Sequence, residues 1–192
     1  IVTKGREFGL FKNLYIYANI PIYIDGNPNS TIDIDHYRFQ DCYLSGADNP
    51  CVFIASGVNL TNVTFDGAQP WVGGNYGLFW VDTGTAFASS NLTLRGVRTE
   101  QGQDTSGASV FIAHNYGLYG FVMEACRLDD TIHGISLTKV VDPTLTQINV
   151  PTTTKAALAL GTPVAGYSIS WRDCLWGAGS SVTTTGYKAI TE

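Results

Sequence analysis

The chain has 192 residues, 44% of them hydrophobic and only 14% charged, with a formal net charge of -5. A globular domain usually carries about a quarter charged residues, so Thr, Ser, Asn and Gly must supply much of the polar surface here. The acidic balance argues against a nucleic-acid footprint, no run of 18 apolar residues offers a membrane-spanning helix, and the 9 Phe, 10 Tyr and 4 Trp argue against disorder.

The opening Ile1-Val2-Thr3-Lys4 has neither Met nor a signal-peptide pattern, and it reads as a piece of a processed or longer chain. The length suits one domain, 1–192. In chain order, Phe11-Lys12-Asn13-Leu14-Tyr15-Ile16 introduces a hexad: apolar, variable, small or turn residue, apolar, variable, apolar. A short apolar element, Ile22-Tyr23-Ile24-Asp25, follows it. The same couple returns as Phe39–Leu44 with Val52–Ala55, Leu60–Phe65 with Phe79–Asp82, and Leu94–Thr99 with Val110–Ala113. It returns again as Met123–Leu128 with Ile135–Thr138, and Trp171–Trp176 is followed by a weaker Lys188-Ala189-Ile190. Leu14, Cys42, Val63, Val97, Cys126 and Cys174 then share one inward position.

Each repeat is too small to bury its own apolar face, so repeats must stack. Their irregular length, 21 to 48 residues, suits a parallel β-helix, whose turns absorb insertions, better than a propeller. A β-sandwich also accommodates short alternating strands. The expectation is an all-β, right-handed parallel β-helix of about six coils. Two segments depart from the pattern. Lys155–Leu160, ended by Gly161, is the best helical candidate. The Thr-rich stretch 142–166, with Pro143, Pro151 and Pro163, reads as an insertion between coils: either a surface loop or an arm that packs on another subunit.

Cys42, Cys51, Cys126 and Cys174 lack C-x-x-C spacing, which points to buried free thiols rather than a zinc site or a disulfide framework. His36, His114 and His133 have no ligand-spaced partner, so no metal site is expected. No P-loop, dinucleotide or G-x-S-x-G fingerprint is present, and no cofactor is implied. Of the Asn-x-Ser/Thr sequons at Asn29, Asn59, Asn62 and Asn91, the one at Asn62 falls inside a coil. There a turn or an asparagine stack is expected rather than a glycan.

The coil motifs Val58-Asn59-Leu60-Thr61-Asn62-Val63-Thr64-Phe65 and Leu128-Asp129-Asp130-Thr131-Ile132-His133-Gly134-Ile135 resemble those of the pectin-lyase-like β-helix superfamily, bacteriophage tailspikes and capsular depolymerases above all. The resemblance spans about residues 8–141 and 166–192. It implies a homotrimeric, virion-borne or extracellular fibre segment that recognises bacterial polysaccharide. Asp129-Asp130 is similar to a pair in polygalacturonase-like hydrolases, although the Gly-His-Gly and Arg-x-Lys motifs of that family are missing.

The repeat also generates outward columns. One place after the inward residue stand Tyr15, Tyr43, Thr64, Arg98, Arg127 and Leu175. Three places after it stand Tyr17, Ser45, Asp66, Glu100, Asp129 and Gly177. Asp66, Glu100 and Asp129 thus fall on three consecutive coils beside Arg98 and Arg127. Stacked carboxylates with split proton affinities are what glycoside hydrolysis requires, so these three are the candidate catalytic groups. Arg98 and Arg127 are expected to hold anionic sugar groups. Asp130 and His133 add polar groups on the same coil. Trp71 and Tyr76, in the Gly-rich loop 67–77, are candidate sugar-stacking residues. The competing reading is a solvated salt-bridge ladder with no chemistry, as expected for Arg95, Glu124 and Arg172. Three functions remain open: a tailspike-like segment that binds polysaccharide, with or without depolymerising it, a non-catalytic structural or adhesive fibre, and a secreted pectinase-like enzyme.

Overall fold

The structure, a computed structural model, describes residues 2–3, 8–25, 32–46, 49–68, 71–73, 77–82, 89–101, 108–129, 131–151, 153–161, 168–177, 181–183 and 188–191. Its regular elements among these are all strands, numbered here in chain order, and they build a parallel β-solenoid. One ladder stacks β1 (Val2–Thr3), β4 (Ile22–Ile24), β8 (Val52–Ile54), β11 (Leu78–Asp82), β14 (Ala108–Tyr119), β17 (Thr131–Val141), β20 (Thr153–Leu160) and β23 (Ser181–Thr183). A second stacks β2 (Gly9–Lys12), β6 (Tyr37–Gln40), β9 (Val58–Asp66), β12 (Ser89–Arg95), β15 (Val122–Glu124), β18 (Thr144–Thr146), β21 (Ser168–Arg172) and β24 (Lys188–Thr191). A separate seven-stranded sheet stacks β3 (Tyr15–Ala18), β7 (Tyr43–Gly46), β10 (Trp71–Gly73), β13 (Arg98–Gln101), β16 (Arg127–Asp129), β19 (Asn149–Val150) and β22 (Leu175–Trp176). A fourth, short facet joins β5 (Ile32–Asp35) to the first half of β9, the start of β12 and the ends of β14 and β17. About five turns carry all four facets.

Alternation drives each strand: β9 reads inward at Val58, Leu60, Val63 and Phe65, with two outward residues in a row at Thr61 and Asn62. The phase slips there because Asn62 adopts a left-handed backbone, φ 57°. Such residues turn two of the corners. Asn13, Asp41, Gly67, Gly96, Ala125, Gln147 and Asp173 bend the chain into the short sheet; His36, Asn62, Asn91, Gly120 and Asp142 bend it out of the fourth facet. Asn and Gly accept this conformation most readily, which is why turn residues sit in the middle of each hexad. The corners are stitched from coil to coil: the N–H of Asp41 bonds the carbonyl of Asp66 at 2.9 Å, that of Gly67 the carbonyl of Arg95 at 2.8 Å, and that of Gly96 the carbonyl of Glu124 at 2.9 Å.

Both corners carry the same local signature, and this corrects the expected alignment. Phe11, Phe39, Phe65, Leu94, Met123, Leu145 and Trp171 form one in-register inward column. The hexad Leu60–Phe65 belongs to the other corner, five residues earlier; the true third member is Phe65-Asp66-Gly67-Ala68, with one extra residue before Trp71. Ala68, not Val63, is therefore the partner of Cys42 and Val97.

The segment expected as an insertion, 142–166, instead supplies a coil: β18, β19 and most of β20 pair on both sides, and Leu145, Ile148, Val150 and Leu158 are fully buried. Its Thr content masked the pattern because Thr occupies the outward positions. Lys155–Leu160, the helical candidate, lies in strand β20, where neighbouring strands supply its backbone hydrogen bonds.

The core is layered in like residues. Phe11, Phe39 and Phe65 stack with centroids 4.9 and 4.8 Å apart and planes within 9°. Outside, Tyr23, Phe53, Phe79 and Phe111 form a second ladder at 5.3, 5.6 and 5.3 Å. Asn91 donates its Nδ2 to Asn62 Oδ1 at 2.8 Å, so the asparagine stack expected at Asn62 is present and both side chains are engaged. Gly120 continues this column with φ 65°, and a Cβ there would lie 2.5 Å from Asn91 Oδ1. Gly120→Ala is expected to lower stability by about 1–3 kcal/mol, measured by chemical denaturation against wild type.

Candidate functional site

The short sheet carries five of the nine expected site residues: Trp71, Arg98, Glu100, Arg127 and Asp129. Tyr15 and Tyr43 are register partners, as are Arg98 and Arg127, and Glu100 and Asp129. Strand β10 runs between these groups, with Trp71 level with Leu44 and Thr99, and Val72 level with Ser45 and Glu100. The column three places after the corner therefore reads Val72, Glu100 and Asp129 on successive rungs. Asp66 is not in it.

Asp66 ends β9 on the second ladder, level with Gln40 and Arg95, and ion-pairs with Arg38. The five-residue slip in the third hexad is what had moved it onto the carboxylate column. Arg95 does pair with Glu124, Nε to Oε2 at 2.9 Å, as the ladder reading expects. Arg172 stands apart from them, because Thr146 of the added coil lies between.

Asp129 is the best-defined charged group of the face. Its side chain is 10% exposed, and both oxygens are engaged: Arg98 Nε donates to Oδ2 at 2.9 Å, and Arg127 Nε donates to Oδ1 at 2.8 Å and to Oδ2 at 2.9 Å. Arg98 and Arg127 are 45% and 55% exposed. A shielded carboxylate thus holds two guanidiniums side by side on adjacent rungs, offsetting part of their mutual repulsion. Chemically this is a clamp for two cations. Only backbone register is described for Glu100 and Trp71. Tyr76 and Asp130 lie outside the described residues. His133 is on β17, level with Ala108 and Ala156, beyond the corner that ends the short sheet.

The tyrosines add a feature with defined geometry. Tyr15 and Tyr43 stack with centroids 4.5 Å apart and planes 9° from parallel. That separation is close to the rise between rungs, so the two rings stack along the solenoid axis and cover one face of each other. Tyr15 and Tyr17 are each 72% exposed.

None of the four thiols is in a disulfide. Cys42, Cys51 and Cys126 are buried and Cys174 is half-buried. In the corner column the thiols repeat one geometry: Cys126 Sγ donates to Glu124 O at 3.3 Å and Leu94 O at 3.4 Å, and Cys42 Sγ to Gln40 O and Phe11 O at 3.3 and 3.6 Å. Among the described residues no cluster of three metal-ligating side chains occurs.

The chain matches no protein-family model, no curated protein and no solved structure.

Burial pushes the Cys126 thiol up to about 11 from 9.0. A raised thiol pKa favours the fold below the unfolded value, and this contribution is lost as pH climbs toward the folded one. Wild type is therefore expected to lose about 2–3 kcal/mol relative to Cys126→Val between about pH 8 and about pH 11, read from urea denaturation of both proteins.

Proposed function

We propose that this chain is a polysaccharide-recognising β-solenoid of the tailspike-like kind, and that it binds glycan along the outer face of the short sheet. One observation carries the reading: the Arg98–Asp129–Arg127 clamp and the tyrosine column lie on one face of a single parallel sheet. A guanidinium held in place by a shielded carboxylate loses little freedom on meeting a sugar carboxylate, sulfate or phosphate. Tyrosine edges carry hydroxyls outward to hydrogen-bond sugar hydroxyls. Parallel strands about 4.8 Å apart repeat these groups along the axis, which suits a long, repetitive ligand. The resemblance of the coils to tailspikes points to a bacterial surface polysaccharide, with the chain working on a virion or outside the cell and as a trimer.

Arg98→Gln and Arg127→Gln are each expected to weaken binding to acidic bacterial polysaccharides by roughly tenfold or more, with a smaller effect on neutral ones. Glycan arrays followed by titration calorimetry measure this, with circular dichroism as the check on folding. Equal loss on acidic and neutral glycans, or no glycan bound at all, would remove the reading.

Cleavage is a second reading, favoured by one fact: Glu100 and Asp129 are register partners on adjacent rungs. Backbone neighbours about 4.8 Å apart suit two carboxylates sharing one glycosidic bond. Under this reading Glu100→Gln abolishes fragment release while binding persists, as followed by size-exclusion chromatography of the polysaccharide. A wild-type protein that binds but releases no fragments is a binding module only.

A further inference from the structure

The outward residues that follow the corner of the short sheet form one column along the solenoid axis, and their chemistry changes from rung to rung. Tyr15 and Tyr43 are neighbours in it, and so in turn are Arg98, Arg127, Asn149 and Leu175. The adjoining row, Leu44, Trp71 and Thr99, runs unbroken through β10, which places the tyrosines and the arginines on one line. That line reads hydroxyl, hydroxyl, the rung of β10, cation, cation, amide, apolar.

Positive charge is confined to its middle. No strand of the sheet carries a lysine or arginine other than Arg98 and Arg127. Two carboxylates share those rungs: Asp129, bonded to both arginines, and Glu100, level with Asp129. The strands of the sheet are therefore neutral in sum, and the chain as a whole carries -5.

This arrangement discriminates among anions. The arginines stand on adjacent rungs, about 4.8 Å apart at the backbone, and are held to one carboxylate. Arg127 reaches it through Nε alone, so the donors of its terminal nitrogens are not spent there. A single carboxylate, sulfate or phosphodiester between the two guanidiniums accepts from both. A second anionic group one rung further along meets Asn149 on one side and uncharged β10 on the other. Neither offers a cation, and the negative charges of Asp129 and Glu100 repel it.

From this we infer that the face takes a polysaccharide whose acidic groups are isolated, one per repeat unit between neutral sugars, lying along the solenoid axis. The inference rests on the glycan-binding reading above and narrows it to a charge spacing. Tyr15 and Tyr43 on one side of the clamp, and Asn149 on the other, meet the hydroxyls of the neutral sugars. A polymer charged at every sugar makes one ion contact at the clamp and is repelled elsewhere, which selects against it. The order of groups along the column is asymmetric, so the ligand binds in one direction.

Charge spacing is the variable to test. The probes are bacterial polysaccharides of three classes: neutral, one uronic acid per repeat of several sugars, and polysialic acid, charged at every sugar. In titration calorimetry the best sparsely charged ligand is expected to bind at least about tenfold tighter than polysialic acid. Its affinity is expected to fall by no more than about fourfold between about 50 and about 200 mM salt, the loss a single charge brings. Asn149→Lys lengthens the cationic run by one rung and is expected to strengthen polysialic acid binding by roughly fivefold or more. Leu175→Lys, at a position 60% exposed, is the alternative should the first variant fold poorly by circular dichroism. Three results would overturn the inference while leaving glycan binding intact: polysialic acid bound as tightly as the sparsely charged class, neutral glycans bound as tightly, or a steep salt dependence. Failure of all three classes to bind would remove the glycan reading, and the inference with it.

Discussion

Everything in this fold depends on parallel backbone hydrogen bonding between one coil and the next. Among the described residues no strand has a hairpin partner, so each is paired with chain one turn away. The return is possible because left-handed residues bend the backbone at fixed places, and those residues donate their own N–H groups to the next coil. Once corners are held in line, like side chains fall above like. Phenylalanine stacks on phenylalanine, asparagine bonds asparagine, and thiols recur in one pocket with one donor geometry. Such ladders are a consequence of register, and they add to it by penalising any slip.

The same constraint shapes the surface. A solenoid this regular exposes columns rather than scattered groups, so a charge is always met by whatever sits one rung away. Asp129 shows the consequence: between two arginines it becomes their support. Asp66, Arg95 and Glu124, on the neighbouring ladder, are engaged in ordinary ion pairs, which at such exposure contribute little stability. The low charge content reflects this arrangement. Backbone groups are consumed between coils, outward Thr, Ser and Asn meet water, and the few charges gather where pairs can form.

Much of this was legible in the residues. The hexad located six corners; the inward places of Cys42, Cys126 and Val97 and the stacking role of Asn62 follow from its spacing alone. The outer ladder of Tyr23, Phe53, Phe79 and Phe111 was also within reach, as the middle residue of each short apolar element, had Leu78 been counted as the start of the third. Two errors have separate causes. Leu60–Phe65 and Phe11–Ile16 have the same spacing because both surround a left-handed bend, and spacing cannot say which bend. The coil at 144–160 was missed because its outward Thr and its prolines imitate a loop.

Sequence by itself determined that the chain is all-β, repetitive and stacked, since short apolar repeats have no other way to bury themselves. It also determined the kind of residue at each corner, because few residues tolerate a positive φ. Which corner belonged above which was decided only by the tertiary structure. A single extra residue after Ala68 shifts the alignment without altering any local pattern, and only the coil-to-coil pairing of Thr64 with Arg38 and of Trp71 with Thr99 reveals it. That pairing carried Asp66 to another face and left Glu100 beside Asp129, where the hexad spacing had already set it.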